Sequence, residues 1–340
     1  MLTRGRSVFT PVFLSGMAPV FSRYVDLKRA LGRRFDTPAR TLQSLDRFLQ
    51  EHSAQYPDLN AAAFEAWCHT HEHVSSGVRR IRMLEISSFC LYRRRTEPQC
   101  FAPDPSSFPA YHQRVKPYIF SEAEVAKLLR AASGLPRYPA SPLRPEMIRL
   151  AIALLFTTGI RRGELLALTL GDYNPQELTL HIRETKFYKS RLLPINDSIA
   201  EEMEQCLRAR VRRRLPVSPD TALIWNAAWS GGAYSGTTLR HAIQHLLQKC
   251  GIVTAKGRLP RIHDLRHSFA VNALLRWYRA RADVEAKLPL LATYLGHGSV
   301  VSTHYYLHFI EPLRTAASER FANHYGELVS PLLQSARRRR

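Results

Sequence analysis

The stretch HDLRHSF, residues 263–269, sets His263, Arg266 and His267 on one side of a helix-like segment. Residues three and four apart share a helix face, so this spacing gathers cationic hydrogen-bonding capacity in one place. A solvated surface accommodates such a face at little cost; a site built to grip a phosphate has use for it. In TTGIRRGELLALTLGDY, Gly159 interrupts an apolar helix just before Arg161, and Glu164 follows one turn later. Two readings stand here as well. One is an exposed ion pair of little energetic weight; the other is an arginine held by a carboxylate and aimed at phosphate oxygens. ETKFYKSR puts Lys186 and Lys189 at a hairpin tip, either solvated in a turn or entering a groove. LATYLGHGSVVSTHYYLHF sets His297 behind the helix-stopping Gly296, with Tyr305 and Tyr306 after it.

The residue types suit one chemistry. A phosphodiester gains negative charge on its non-bridging oxygens in a pentavalent transition state, and fixed cations stabilise that charge. Guanidiniums serve well because each presents planar paired donors and stays protonated. A tyrosine phenol, with a pKa of about 10, is unreactive until a base or a cationic pocket assists it. The aryl phosphate it forms is a good leaving group for the reverse attack, so no nucleotide cofactor is needed.

Composition narrows the partner. The 340 residues carry 49 Lys+Arg against 28 Asp+Glu, a net charge of +21, which fits a polyanion: nucleic acid or an anionic membrane surface. There is no apolar run of the length that spans a bilayer. VFTPVFLSGMAPVF imitates a signal peptide, but Pro11 interrupts it and a small-residue cleavage site is missing before the charged SRYVDLKRALGRR. Five scattered cysteines, with no CxxC pair, read as reduced thiols of a cytoplasmic protein. Nucleic acid, with no membrane, is the favoured partner.

The elements that must position these residues are legible in outline. Residues 1–16 read as an N-terminal arm and 17–104 as a helical domain, from APVFSRYVDLKRALGRR to VRRIRMLEISSFCLYRRR. Residues 105–117 read as a linker, within a stretch of five prolines (TEPQCFAPDPSSFPAYHQRVKP) and little periodicity. Residues 118–340 form the second domain. It opens on a capping box, Ser121 with Glu124, and continues into PEMIRLAIALLFTTGI, apolar nearly all round and so a buried helix. ELTLHIRET alternates as a half-buried strand and pairs with RLLPI in a hairpin. In TTLRHAIQHLLQKCG, Leu239, Ile243, Leu246 and Leu247 face the core, leaving Arg240, His241 and Lys249 either for DNA or for solvent. The chain ends in a helix and a basic RRRR tail.

CHTHEH (Cys68, His69, His71, His73) invites a metal reading. Its spacing matches no zinc pattern, and consecutive ligands point around a helix rather than to one face. A polar helix end is the better account, and neither a metal nor another cofactor is expected.

In order, the motifs form a set that resembles the tyrosine recombinases, the phage-integrase family of site-specific DNA recombinases, from about Tyr118 to His324. TGIRRGELLAL matches the first box, with Arg161 as catalytic arginine and Glu164 as its acidic partner. TKFYKSRLLPI looks like the lysine hairpin, Lys186 matching by its distance from Arg191 and LPI. HDLRHSFA matches the second box through His263 and Arg266. LGH supplies His297, and STHYYLHF aligns Tyr306 with the nucleophile, nine residues on. The stretch from Arg266 to His297, with WYRARADVEAKLP, is longer than the commonest form. The first domain is similar to the family's core-binding domain in layout only.

The resemblance implies a mainly α fold with a small antiparallel β-hairpin or sheet: a helical N-terminal DNA core-binding domain and an α+β catalytic domain that together clamp duplex DNA. It implies cleavage through a 3′-phosphotyrosine, with Arg161, Arg266 and His297 on the phosphate, His263 assisting deprotonation of Tyr306, and Lys186 protonating the departing 5′ oxygen. It further implies a homotetramer on two DNA sites, a monomer or weak oligomer when free, with room for accessory proteins. The expected biology is integration, excision or transposition of a mobile element. Two other readings compete: a type IB topoisomerase-like nicking-closing enzyme, and a catalytically idle DNA-binding protein.

Overall fold

The computed structural model describes residues 8–110, 116–183, 190–227 and 232–296, together with Tyr306, Thr315 and Ser318. The chain divides into two compact units, Met1–Val115 and Lys116–Arg340. Each has its own apolar core, as independent folding of two such segments requires.

The first unit is built on four helices: α1 (Ala18–Ala30), α2 (Asp36–Glu51), α3 (Ala61–His69) and α4 (Ser76–Arg93). Helical spacing on α2 turns Leu42, Leu45 and Leu49 inward, where they meet Phe21, Tyr24, Trp67 and Phe89. Asn60 caps α3 by accepting from the Ala63 amide at 2.9 Å. Two segments outside the helices join this core. Phe9 and Phe13 pack against it, and Phe108, in the proline-rich stretch, is buried within it.

The second unit carries seven helices among its described residues, α5 (Glu122–Ser133), α6 (Arg144–Thr158), α7 (Arg162–Ala167), α8 (Asp197–Arg212), α9 (Gly236–Lys249), α10 (Asp264–Arg279) and α11 (Val284–Leu295). α6 is the central strut. Its residues from Met147 to Leu155, Arg149 apart, are almost completely buried, and it packs against α5, α8, α9 and α10. The capping box at the start of α5 is present in full, Ser121 Oγ accepting from the Glu124 amide and Glu124 from the Ser121 amide.

A three-stranded antiparallel sheet lies beside these helices, in the order β1 (Tyr173–Asn174), β2 (Thr179–Ile182), β3 (Arg191–Pro194). The register pairs Leu180 with Leu193 and Ile182 with Arg191. Alternation buries Leu180 and Ile182, as a half-buried strand dictates. The hairpin tip with Lys186 and Lys189 lies outside the described residues. A mainly helical fold with a small antiparallel sheet is what the sequence predicts; β1 and α8 are additions to it.

Candidate active site

Two helices of the second unit end at glycines in the left-handed conformation, α6 at Gly159 (φ 61°) and α11 at Gly296 (φ 66°). This region disfavours a side chain, and close packing excludes one too. A Cβ at Gly159 would stand 2.6 Å from the Phe269 ring, and one at Gly296 would stand 2.6 Å from Arg191 Nη1. Both helix ends are therefore tightly packed, Gly159 against Phe269 and Gly296 against Arg191, and their carbonyls accept from the arginines of the site.

The Arg161–Glu164 pair is not a solvated surface contact, because the Glu164 side chain is largely buried. Arg161 caps the start of α7, its amide donating to Glu164 Oε2 (3.1 Å) and its Nη1 to Glu164 Oε1 (2.7 Å). Its Nη2 donates to the Gly296 carbonyl at 2.6 Å. Glu164 receives a second arginine, Arg191 at the start of β3, through Nη2 at 2.8 Å. Arg191 Nε in turn donates to the Tyr294 carbonyl at 2.9 Å. Burial alone would raise the Glu164 pKa, but the Arg191 and Arg161 hydrogen bonds and the Arg191 charge bring it below the ordinary carboxylate value. Glu164 thus stays ionised and fixes two guanidiniums.

Arg266, on the first turn of α10, is 2% exposed. Its Nη1 donates to the Gly159 carbonyl and its Nη2 to the Leu295 carbonyl, both at 2.6 Å. Burial, then the charge of Arg161, lower its pKa to about 10, so it remains a cation at neutral pH. His263 precedes the helix. Desolvation of its ring, then the charges of Arg266 and Arg261, lower its pKa to about 4, although the residue as a whole is exposed to solvent.

Tyr306 is buried, and its hydroxyl lies 2.8 Å from His267 Nδ1. The His267 ring meets the Tyr306 ring edge-on at 5.6 Å and the His263 ring at 4.8 Å. Arg161, Glu164, His263, Arg266 and Tyr306 are therefore linked in one site, by direct contact or through a shared neighbour. His297 and Lys186 lie outside the described residues. Arg240, His241 and Lys249 are exposed on α9, away from its buried Leu239, Ile243, Leu246 and Leu247 face.

The sequence pattern of the phage integrase family matches residues 119–311. The chain belongs to the phage integrase family. Members of this family, the tyrosine recombinases, are enzymes that cleave and rejoin DNA. The chain is 33% identical over 299 residues to the putative integrase/recombinase y4rE of Sinorhizobium fredii, covering 88% of this chain and 93% of that protein. It is 30% identical to y4rB of the same organism over 86% of this chain and 93% of that protein. Among solved structures, the Tn1549 transposon integrase in complex with circular intermediate DNA aligns with a TM-score of 0.61 at 16% identity, over 89% of this chain and 99% of that one. The XerH site-specific recombinase bound to palindromic difH substrate aligns with the same TM-score of 0.61, at 20% identity over 88% and 83%. These likenesses show the integrase fold.

Sequence reasoning missed two members of the site. Arg191 served only as a landmark for the lysine hairpin, because nothing local pairs it with Glu164, 27 residues earlier. His267 was visible on the right face of its helix, but its partner Tyr306 is 39 residues away. In the first unit, the CHTHEH stretch forms local contacts: His69 bonds Glu72 (2.8 Å) and His71 the Trp67 carbonyl (2.9 Å). Among the described residues no group of three metal-ligating side chains is gathered, and no helix is long and apolar enough to cross a membrane.

Proposed function

We propose that this phage integrase family chain is a site-specific recombinase that cuts double-stranded DNA through a 3′-phosphotyrosine on Tyr306 and rejoins the ends to a second site. The observation that carries the reading is the pairing of Arg161 and Arg266 at the carbonyls of Gly159, Leu295 and Gly296, with Tyr306 hydrogen-bonded to His267, the residue next to Arg266. A buried arginine tied to two carbonyls is pre-oriented, so it stabilises developing charge without reorganising.

Arg161 and Arg266 would hold the scissile phosphate, with His263 at the solvent edge and His297 adding a further hydrogen bond. Tyr306 attacks phosphorus, and Lys186 protonates the departing 5′ oxygen. The exposed Arg240, His241 and Lys249 would meet backbone phosphates, which position a protein on DNA without reading sequence. Two copies on each of two sites would exchange strands pairwise. The integrase/recombinase relatives and the alignment with a transposon integrase support a mobile element as the setting.

Trapping the protein on a nicked substrate and mapping the DNA-linked peptide tests this. The link is expected on Tyr306. Adjacent helical residues point about 100° apart, so a link to Tyr305 instead would redraw the site. Relaxation of any supercoiled plasmid, with no two-site products, would identify a topoisomerase-like enzyme. No covalent product under any condition would leave a DNA-binding protein.

A further inference from the structure

His267 follows Arg266 directly, yet the family resemblance gives it no role. On α10 it stands four residues after His263, so the two imidazoles share a helix face. Their rings are 4.8 Å apart and nearly perpendicular. His267 is the one whose ring nitrogen reaches the phenol: Nδ1 lies 2.8 Å from Tyr306 Oη. That is the separation at which a proton passes between heteroatoms. The Tyr306 ring stands at 60° to the imidazole, its centroid 5.6 Å away, so packing and hydrogen bonding fix the same pair.

We propose that His267, through Nδ1, takes the phenol proton of Tyr306 during DNA cleavage and returns it during rejoining. The inference rests on Tyr306 being the nucleophile. In the cleavage step the Oη–P bond forms and the P–O5′ bond breaks. The electron pair of that bond leaves on the 5′ oxygen, which takes a proton from Lys186. The phenol proton moves to His267 Nδ1. On rejoining, the 5′ hydroxyl gives its proton back to Lys186 and attacks phosphorus, the O5′–P bond forms as the P–Oη bond breaks, and His267 reprotonates the phenolate. His263, one turn earlier, is left to the phosphate rather than to the phenol.

The surroundings keep the ring unprotonated before substrate binds. Burial first, then neighbouring His263, lower the His267 pKa to about 4, with Arg261 and Arg266 acting in the same sense and Asp264 opposing them. The ring is therefore neutral at physiological pH and has a lone pair to offer. A phosphate drawn in against Arg161 and Arg266 offsets the positive field on the ring and raises its proton affinity. The base is strengthened when substrate arrives.

The test is single-turnover cleavage of a nicked DNA substrate by the full chain, with protein in excess. His267→Ala is expected to form the covalent complex more slowly by roughly 10²–10⁴-fold, with DNA affinity unchanged and added imidazole restoring much of the rate. His267→Asn keeps a hydrogen-bonding group near the Nδ1 position but accepts no proton; it is expected to fold and to be equally slow. If the alanine variant is unfolded by circular dichroism, the asparagine variant decides. Parental rates in the folded variants overturn the proposal, as do faster rates, which would make the bond a restraint on the nucleophile. Imidazole rescue of His263→Ala alone would assign the proton to His263 and also overturn it. A covalent complex still formed by Tyr306→Phe would instead defeat the underlying reading of Tyr306.

Discussion

Arg161 and Gly296 are 135 residues apart in the chain, yet Arg161 Nη2 donates to the Gly296 carbonyl at 2.6 Å. Gly159, two residues before Arg161, makes the reciprocal tie by accepting from Arg266 Nη1. Two helix ends and two arginines thus brace each other, and the brace depends on backbone that only glycine adopts at low cost.

Gly159→Ala and Gly296→Ala are each expected to destabilise the second unit and to lower cleavage by more than their stability loss explains. The left-handed conformation costs an alanine about 1–2 kcal/mol, and the added Cβ collides with Phe269 at the first site and Arg191 at the second. Urea unfolding paired with single-turnover cleavage measures both effects. A folded Gly159→Ala variant that cleaves at the parental rate would show that the Gly159 carbonyl does not orient Arg266.

Glu164 is expected to behave as a keystone. Its side chain is 10% exposed and that of Arg191 is 12% exposed. Removing one member of a buried pair leaves the other charged and unpaired, at a cost of about 3–5 kcal/mol. Glu164→Ala should therefore lose stability on that scale. Glu164→Gln still accepts from the Arg161 amide and should lose clearly less. Equal unfolding midpoints for the parent and the alanine variant would contradict the fixed, ionised carboxylate.

Much of this was legible in the sequence, for reasons that differ by element. The α5 capping box and the inward face of α9 are local, set by residues within a turn or two of each other, and both form as read. The strand alternation at Leu180 and Ile182 is local as well. β1 is two residues long, too short for any period to show. α8 has an apolar face of the usual spacing, so its signal was there to be used. The Arg191–Glu164 and His267–Tyr306 contacts had no such signal. They arise from how α7, β3 and α10 pack, and spacing within one segment says nothing of a partner in another.

Stability should fall as pH drops from about 6.5 toward 4. His263 and His267 have folded-state pKa values of about 4, against 6.5 for an ordinary imidazole. Above pH 6.5 both the folded and unfolded chains hold these rings neutral, and nothing is lost. Between the two values the unfolded chain binds protons that the folded chain refuses, which favours unfolding. The groups acting on His267 are His263, Asp264, Arg261 and Arg266, with Tyr306 on its Nδ1. Melting temperatures of the free protein across this window should decline, and less steeply in His267→Asn, which does not titrate. The same slope in both proteins would show that His267 is not held neutral by the fold.

A leaving-group experiment separates the two hairpin lysines. An alkoxide departs poorly unless protonated, so loss of the general acid should slow cleavage by roughly 10²–10⁴-fold. A substrate with sulfur at the bridging 5′ position expels a thiolate, whose conjugate acid has a far lower pKa and hardly needs the proton. Lys186→Ala is expected to cut ordinary DNA slowly and the sulfur substrate nearly as fast as the parent. Lys189→Ala, if that side chain touches only backbone phosphates, should weaken DNA binding, reduce its salt dependence and show no selective rescue. Rescue confined to the Lys189 variant would move the acid three residues along the hairpin. Rescue in neither would take proton donation away from the hairpin, and the donor would then have to come from the arginine-and-histidine cluster around Arg161 and His263.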